Sequence, residues 1–154
     1  MPLLVLAPII SDLSPANTNS FVGIYLFSVP VITNYMISYN YSWFEPVKNI
    51  ALTFPGAKEA VSYGTPSVKV NGKFMCRING DFIPIRLDFD LRNKYLDSHP
   101  EIFHVPDHYR SYPAICMWVH KYNKKLLAEI LELSWRGLAT KKQIAEWEAG
   151  RGRK

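Results

Sequence analysis

Four cations stand within one stretch of alternating apolar residues: Lys69, Lys73, Arg77 and Arg86. In an extended chain successive side chains point to opposite faces, so the folding of this stretch decides which cations meet. Two Asn-Gly pairs, Asn71-Gly72 and Asn79-Gly80, divide it into three strands joined by hairpins. A two-residue loop at Asn71-Gly72 would put Val68 on the face of Met75, away from Phe74. A three-residue loop, Val70-Asn71-Gly72 with Gly72 left-handed, pairs Val68 with Phe74 and gives one apolar face. A two-residue loop at Asn79-Gly80 then pairs Ile78 with Asp81 and Cys76 with Ile83. In this register Lys69, Lys73 and Arg86 form a lateral row on the outward face, with Arg77 further along beside Met75 and Phe82. Like charges directly opposite one another cost tenths to about 1 kcal/mol per pair. A sheet that keeps such a row is suited to an anion. Lys and Arg contacts to phosphates supply most non-specific nucleic-acid affinity, and a neighbouring aromatic ring can stack on an unpaired base. The bland alternative is a solvated face on which Asp88 and Asp90 neutralise Arg86.

A second cluster is His108-Tyr109-Arg110-Ser111-Tyr112, set between Pro106 and Pro113. It concentrates hydrogen-bonding and stacking groups in a loop whose shape the prolines restrict. The competing reading has Tyr109 and Tyr112 plugging the core edge while Arg110 pairs with an acid. The turn Ser62-Tyr63-Gly64-Thr65-Pro66 is expected mainly to enter the first strand, with a binding role as the alternative. His99, His104, His108 and His120 lack the spacing of a metal site, and no cysteine pair joins them. Cys76 and Cys116 lie in apolar runs, where a thiol is inert packing. The chain shows no phosphate-cradling glycine loop and no nucleophile elbow. We therefore expect no enzyme, no metal and no cofactor.

These residues need elements to position them. Phe44, Val47, Ala51 and Phe54 recur at helical spacing, and Pro55-Gly56 ends that helix. After the three strands, Asp90 is expected to cap a helix from Leu91 to Ser98. Ile102 to Val105 reads as a fourth strand. Ala114 to His120, apolar on both faces, reads as a central fifth. Asn123 caps the longest helix, which buries Leu127, Ile130, Leu131 and Leu138. Thr140 and Gln143 have capping-box spacing for a last helix ending at Gly150. The resulting fold class is α+β: a single antiparallel sheet with helices on one side, in the order α-β(3)-α-β(2)-α plus a C-terminal helix.

Charge divides the chain unevenly. Residues 1–47 hold only Asp12 and Glu45, whereas residues 48–154 carry all 18 Lys and Arg for a net charge of +7. Residues 1–42 form an apolar extension. It is read as a mis-annotated start, with Met36 the true one, or as a disordered segment; a membrane anchor or an ordered extra element are the alternatives. Against a membrane span stand Pro30, Asn34 and the lack of a flanking cation. Residues 43–149 make the domain, and 150–154 a basic tail. Two apolar-site cysteines place the protein in a reducing compartment, the cytoplasm. A monomer is expected.

The segments Phe54-Pro55-Gly56, Ser62-Tyr63-Gly64-Thr65-Pro66, Val68-Lys69-Val70-Asn71-Gly72-Lys73, Asp107-His108-Tyr109-Arg110-Ser111-Tyr112-Pro113 and Ser134-Trp135-Arg136 together resemble the MmcQ/YjbR family. The resemblance implies an α-β(3)-α-β(2)-α arrangement similar to secretion chaperones, and a role in DNA binding through paired hairpin wings. The long apolar N-terminus departs from the family pattern. Two functions follow as expectations. The first is non-enzymatic nucleic-acid binding by Lys69, Lys73, Arg77, Arg86, His108, Tyr109 and Arg110. The second is protein interaction through an apolar patch at Met75, Phe82 and the tyrosine loop.

Overall fold

The computed structural model describes residues 41–152. The readings of residues 1–35 lie outside them; of the expected tail 150–154, Gly150 and Arg151 belong to the last helix and 153–154 lie outside the described residues. Helix α1 (Glu45–Ala51) is followed by strands β1 (Ala57–Ser62), β2 (Thr65–Val70), β3 (Lys73–Arg77) and β4 (Phe82–Arg86). Helix α2 (Phe89–Ser98), β5 (Phe103–His104), β6 (Ala114–Trp118), α3 (Lys124–Arg136) and α4 (Lys141–Arg151) complete the order. All strand pairings are antiparallel, in the spatial order β1-β2-β3-β4-β6-β5. The fold is thus α+β on one open six-stranded sheet. The chain leaves β4 through α2, forms the short edge strand β5, and returns as β6 between β4 and β5, so β6 is buried on both faces along Ala114–Met117.

One core holds the inner face of the sheet against the helices. Val68, Val70, Ile83, Ile85, Ile115 and Met117 meet Val47 and Ala51 of α1 and Leu127, Ile130, Leu131 and Trp135 of α3. Leu138 joins them from beyond the end of α3. The helix ends follow local chemistry. Asn123 accepts from the Leu126 amide, and Thr140 and Gln143 form the reciprocal capping box of α4. Asp88, not Asp90, caps α2, accepting from the Leu91 amide at 2.9 Å. Asp88 is thereby turned to the helix rather than to Arg86.

Three readings of the sheet are corrected. First, the domain has a strand ahead of the three expected ones. β1 pairs with β2 through a Tyr63-Gly64 turn in which both residues have positive φ, 53° and 74°. Second, the Asn71-Gly72 loop has two residues, with Val70 opposite Lys73 and φ of 51° and 79°. The extra residue sits further along, where Lys69 pairs with Phe74 but Val68 pairs with Cys76, leaving Met75 as a bulge. Third, the next hairpin turns on Gly80-Asp81, because Asn79 pairs with Phe82. Cys76 then faces Ile85, a slip of two residues that leaves the buried face unchanged.

Candidate polyanion groove on the outer sheet face

The bulge rearranges the expected row of cations. Directly paired residues share a face. Lys69, opposite Phe74, stays on the outer face, whereas Lys73, opposite Val70, belongs to the other side and lines no part of the site. In its place stands a residue from the unexpected strand: Lys58 of β1 lies directly across from Lys69. Met75 is fully buried by the same bulge, so it cannot belong to an exposed apolar patch. Phe74, expected in the core, lines the outer face instead.

The outer face is not bare. Residues 105–113 fold over its far half, where Tyr109, Ala114 and Cys116 form a small second core with Phe82 and Val105. Several bonds fix this loop. A 3-10 turn spans Asp107–Tyr109, and the Leu87 amide donates to Pro113 O at 2.9 Å. The Arg92 guanidinium, packed over the Phe89 ring at 4.6 Å, donates to Arg110 O and Tyr112 O at 3.1 and 3.0 Å. Between this loop and the β1–β2 hairpin runs a groove of about 870 Å³.

Lys69, Arg77, Arg86 and His108 line it, with Tyr63, Phe74, Tyr109 and Tyr112 as its aromatic walls. No Asp or Glu is among the described residues that line it. Among the described residues, Lys58, Lys69, Lys73, Arg77 and Arg86 also make no ion pair. Arg77 is the anchored member. It donates to the Tyr109 hydroxyl at 2.9 Å and to Thr65 Oγ1 at 3.3 Å, and lies 5.2 Å from the centre of the Tyr63 ring. Asn79 donates to the same Tyr109 oxygen at 3.4 Å. The guanidinium is held by neutral groups, so its charge is left for something else.

The loop residues separate by role. Tyr109 is buried and orients Arg77, while Tyr112 stands half in solvent beside His108, their rings 5.7 Å apart. Arg110 pairs with Asp107 at 2.9 Å on the open surface and does not line the groove. Such an exposed pair is worth little. Lys58 and Phe74 complete the surface and were not expected there, whereas Tyr63 and Tyr112 were expected only as members of the 62–66 turn and the 108–112 loop. Tyr63 was detectable only by recognising Tyr63-Gly64 as a hairpin turn.

The two cysteines among the described residues are not activated as thiolates. Burial pushes the Cys116 thiol up to about 12 against the opposing charge of Arg77, and burial pushes Cys76 up to about 12 as well. Among the described residues no group of three His, Cys, Asp or Glu side chains is placed to hold a metal ion. No helix among them is long and apolar enough to cross a membrane.

The sequence segments that carry the family resemblance also have structural duties. Trp135 is fully buried, stacks on Phe54 at 5.4 Å, and donates from Nε1 to Pro55 O at 2.9 Å. Asn71 donates to Leu138 O and exchanges hydrogen bonds with the Gln143 side chain. Arg136 is bound by Glu132 and Glu148.

No protein-family model matches the chain. No curated protein matches it either. Among solved structures, it is similar to the crystal structure of the Deinococcus radiodurans protein DR2400, which carries a DUF419 domain. The TM-score is 0.52 at 15% identity, over 64% of this chain and 83% of that one. At this identity the likeness establishes a shared fold.

Proposed function

We propose that this protein is an MmcQ/YjbR-like, non-enzymatic nucleic-acid-binding domain whose phosphate contacts run along the groove between the β1–β2 hairpin and the loop 105–113. The observation that carries the reading is a groove of about 870 Å³ that collects Lys69, Arg77, Arg86 and His108 with no carboxylate among its described lining. Lys58 extends the positive face beyond it, opposite Lys69. Unpaired cations on one side of a domain attract a polyanion and release its counterions on contact. Two unpaired, buried cysteines fit a cytoplasmic setting.

The test is a fluorescence-anisotropy titration of the full chain against labelled DNA and RNA at about 50 and about 200 mM salt. Each cation that contacts phosphate contributes a slope of about 0.7 to 0.9 in the logarithmic salt dependence. Lys69→Gln with Arg86→Gln should therefore flatten the slope by about 1.4 to 1.8. Lys73→Gln removes one positive charge outside the groove and should leave the slope unchanged. Binding that is absent, or that falls as much in the Lys73 variant as in the double one, overturns the assignment.

A further inference from the structure

The residue at the mouth of the groove that is hardest to explain by folding is Tyr63. It occupies the first position of a tight two-residue hairpin with φ of 53°, a left-handed conformation that favours glycine, asparagine and aspartate. Its ring gains almost nothing in burial for this, since it is 90% exposed. An asparagine at that position would make the preferred turn and avoid the exposed aromatic. Strain held at an exposed position is the kind of feature from which a function is inferred.

The surroundings of the ring indicate its use. Arg77 approaches it at 5.2 Å from the centroid, within the range of a cation–π contact. The exposure of the ring leaves it stacking surface in solvent. On the opposite wall Tyr112 is 53% exposed and tilts beside His108. The groove thus offers an aromatic surface on each rim with cations between them. A duplex cannot use this arrangement, because its bases are stacked on one another and present only edges and backbone. An unpaired strand can lay a base on a ring while its phosphates follow the cations.

We infer that the groove selects single-stranded nucleic acid, with an unpaired base stacked on Tyr63 and the adjoining phosphate placed near Arg77. This rests on the nucleic-acid reading above and specifies its substrate. Tyr112 supplies the second stacking surface across the groove. Base-on-aromatic stacking tolerates any base, so strand form is recognised with little sequence preference.

Tyr63→Asn is the informative variant because stability and binding should move apart. The full chain is titrated with a labelled single-stranded DNA, the RNA of the same sequence, and the corresponding DNA duplex, all at one salt concentration. The wild type should prefer the single strands. Tyr63→Asn should weaken single-strand binding by roughly 5- to 150-fold, the range of one lost stacking contact. Duplex binding should change by less than about twofold, since every cation remains and Arg77 is still held by Tyr109 and Thr65. The urea midpoint should stay equal or rise, which shows that the fold survived. Tyr63→Phe, which keeps the ring, should bind like the wild type. The DNA and RNA arms show whether the sugar matters. A wild type that prefers duplex, or a Tyr63→Asn variant that binds single strands normally, overturns this inference while salt-dependent binding leaves the broader reading standing. No binding in any arm removes both.

Discussion

Tyr109→Phe isolates the contact that orients the central cation of the groove. The Tyr109 oxygen accepts from Arg77 at 2.9 Å and, at the limit of geometry, from Asn79 at 3.4 Å. Phenylalanine keeps the ring, its edge-to-face contact with Phe82 at 6.1 Å and its place against Ala114 and Cys116. Only the hydroxyl is lost. A hydrogen bond to a charged group contributes about 1.5 to 3 kcal/mol net when its loss leaves a buried donor unpaired. Arg77 is half-buried and keeps Thr65 as a partner, so water recovers part of this. The remaining cost is about 1 to 2 kcal/mol, with the weaker Asn79 contact adding little. Urea denaturation at neutral pH reads it as a lower midpoint at an unchanged m-value. A double-mutant cycle with Arg77→Met assigns it: the pair should couple by about 1 kcal/mol or more. Coupling below about 0.3 kcal/mol would mean that Arg77 is placed by strand geometry alone and that Tyr109 is merely a core plug.

Two further outcomes test the supports around the groove. His104 stacks on Trp118 at 3.7 Å and 9°, and burial holds its imidazole below the ordinary value of 6.5, with Asp81 pulling the other way. The unfolded chain therefore takes up this proton before the folded one does, so stability should be full above pH 6.5 and fall as the pH drops from there through the folded value. The melting temperature of His104→Phe, which keeps a stacked ring, should depend less on pH in that window; an identical profile removes His104 as a cause. Gly56→Ala attacks the lock between the β1 entry and α4. Gly56 has φ of 78°, and an added Cβ would lie 2.3 Å from Gln143 Nε2 and 2.8 Å from Asn71 Oδ1. Left-handed strain plus disruption of the Asn71–Gln143 exchange should cost about 2 to 3 kcal/mol in urea denaturation. A loss under about 0.5 kcal/mol would show that Gln143 swings aside freely.

The helices and the buried face of the sheet were legible because their signals are local. Asn123 and the Thr140–Gln143 pair are caps whose partners lie three residues away. Ile83 and Ile85, two residues apart, both reach the inner core, although Pro84 between them is buried too, on the face covered by the loop. β1 was hidden for the opposite reason. Ala57-Lys58-Glu59-Ala60 has low strand propensity, and the strand exists as an edge because β2 offers it a ladder. Its burial is irregular, so no period of two marks it. Pairing with a neighbour, which composition does not display, made the strand.

The site depended on one residue of register. Counting alternation from Asn71-Gly72 requires an extra residue somewhere to bring Val68 and Cys76 onto one face. The loop and the strand interior both satisfy that count, and sequence parity does not choose between them. Turn chemistry does: Asn71-Gly72 accommodates two consecutive positive φ values without penalty, so the extra residue moves to Met75. That choice sends Lys73 away, brings Phe74 outward and buries Met75. Independently of it, the two-residue Tyr63-Gly64 turn sets Lys58 opposite Lys69. The repulsion between that pair is small per contact, tenths to about 1 kcal/mol, and the fold gains nothing visible from it. Tyr63 adds a left-handed, solvent-facing ring beside the same groove. If the proposed single-strand contact is right, a bound phosphate offsets the Lys58–Lys69 repulsion and a stacked base covers the Tyr63 ring, while the left-handed backbone at Tyr63 stays as it is. Lys58→Gln should then weaken single-strand binding and raise stability slightly, and a loss of stability instead would assign the pair to folding.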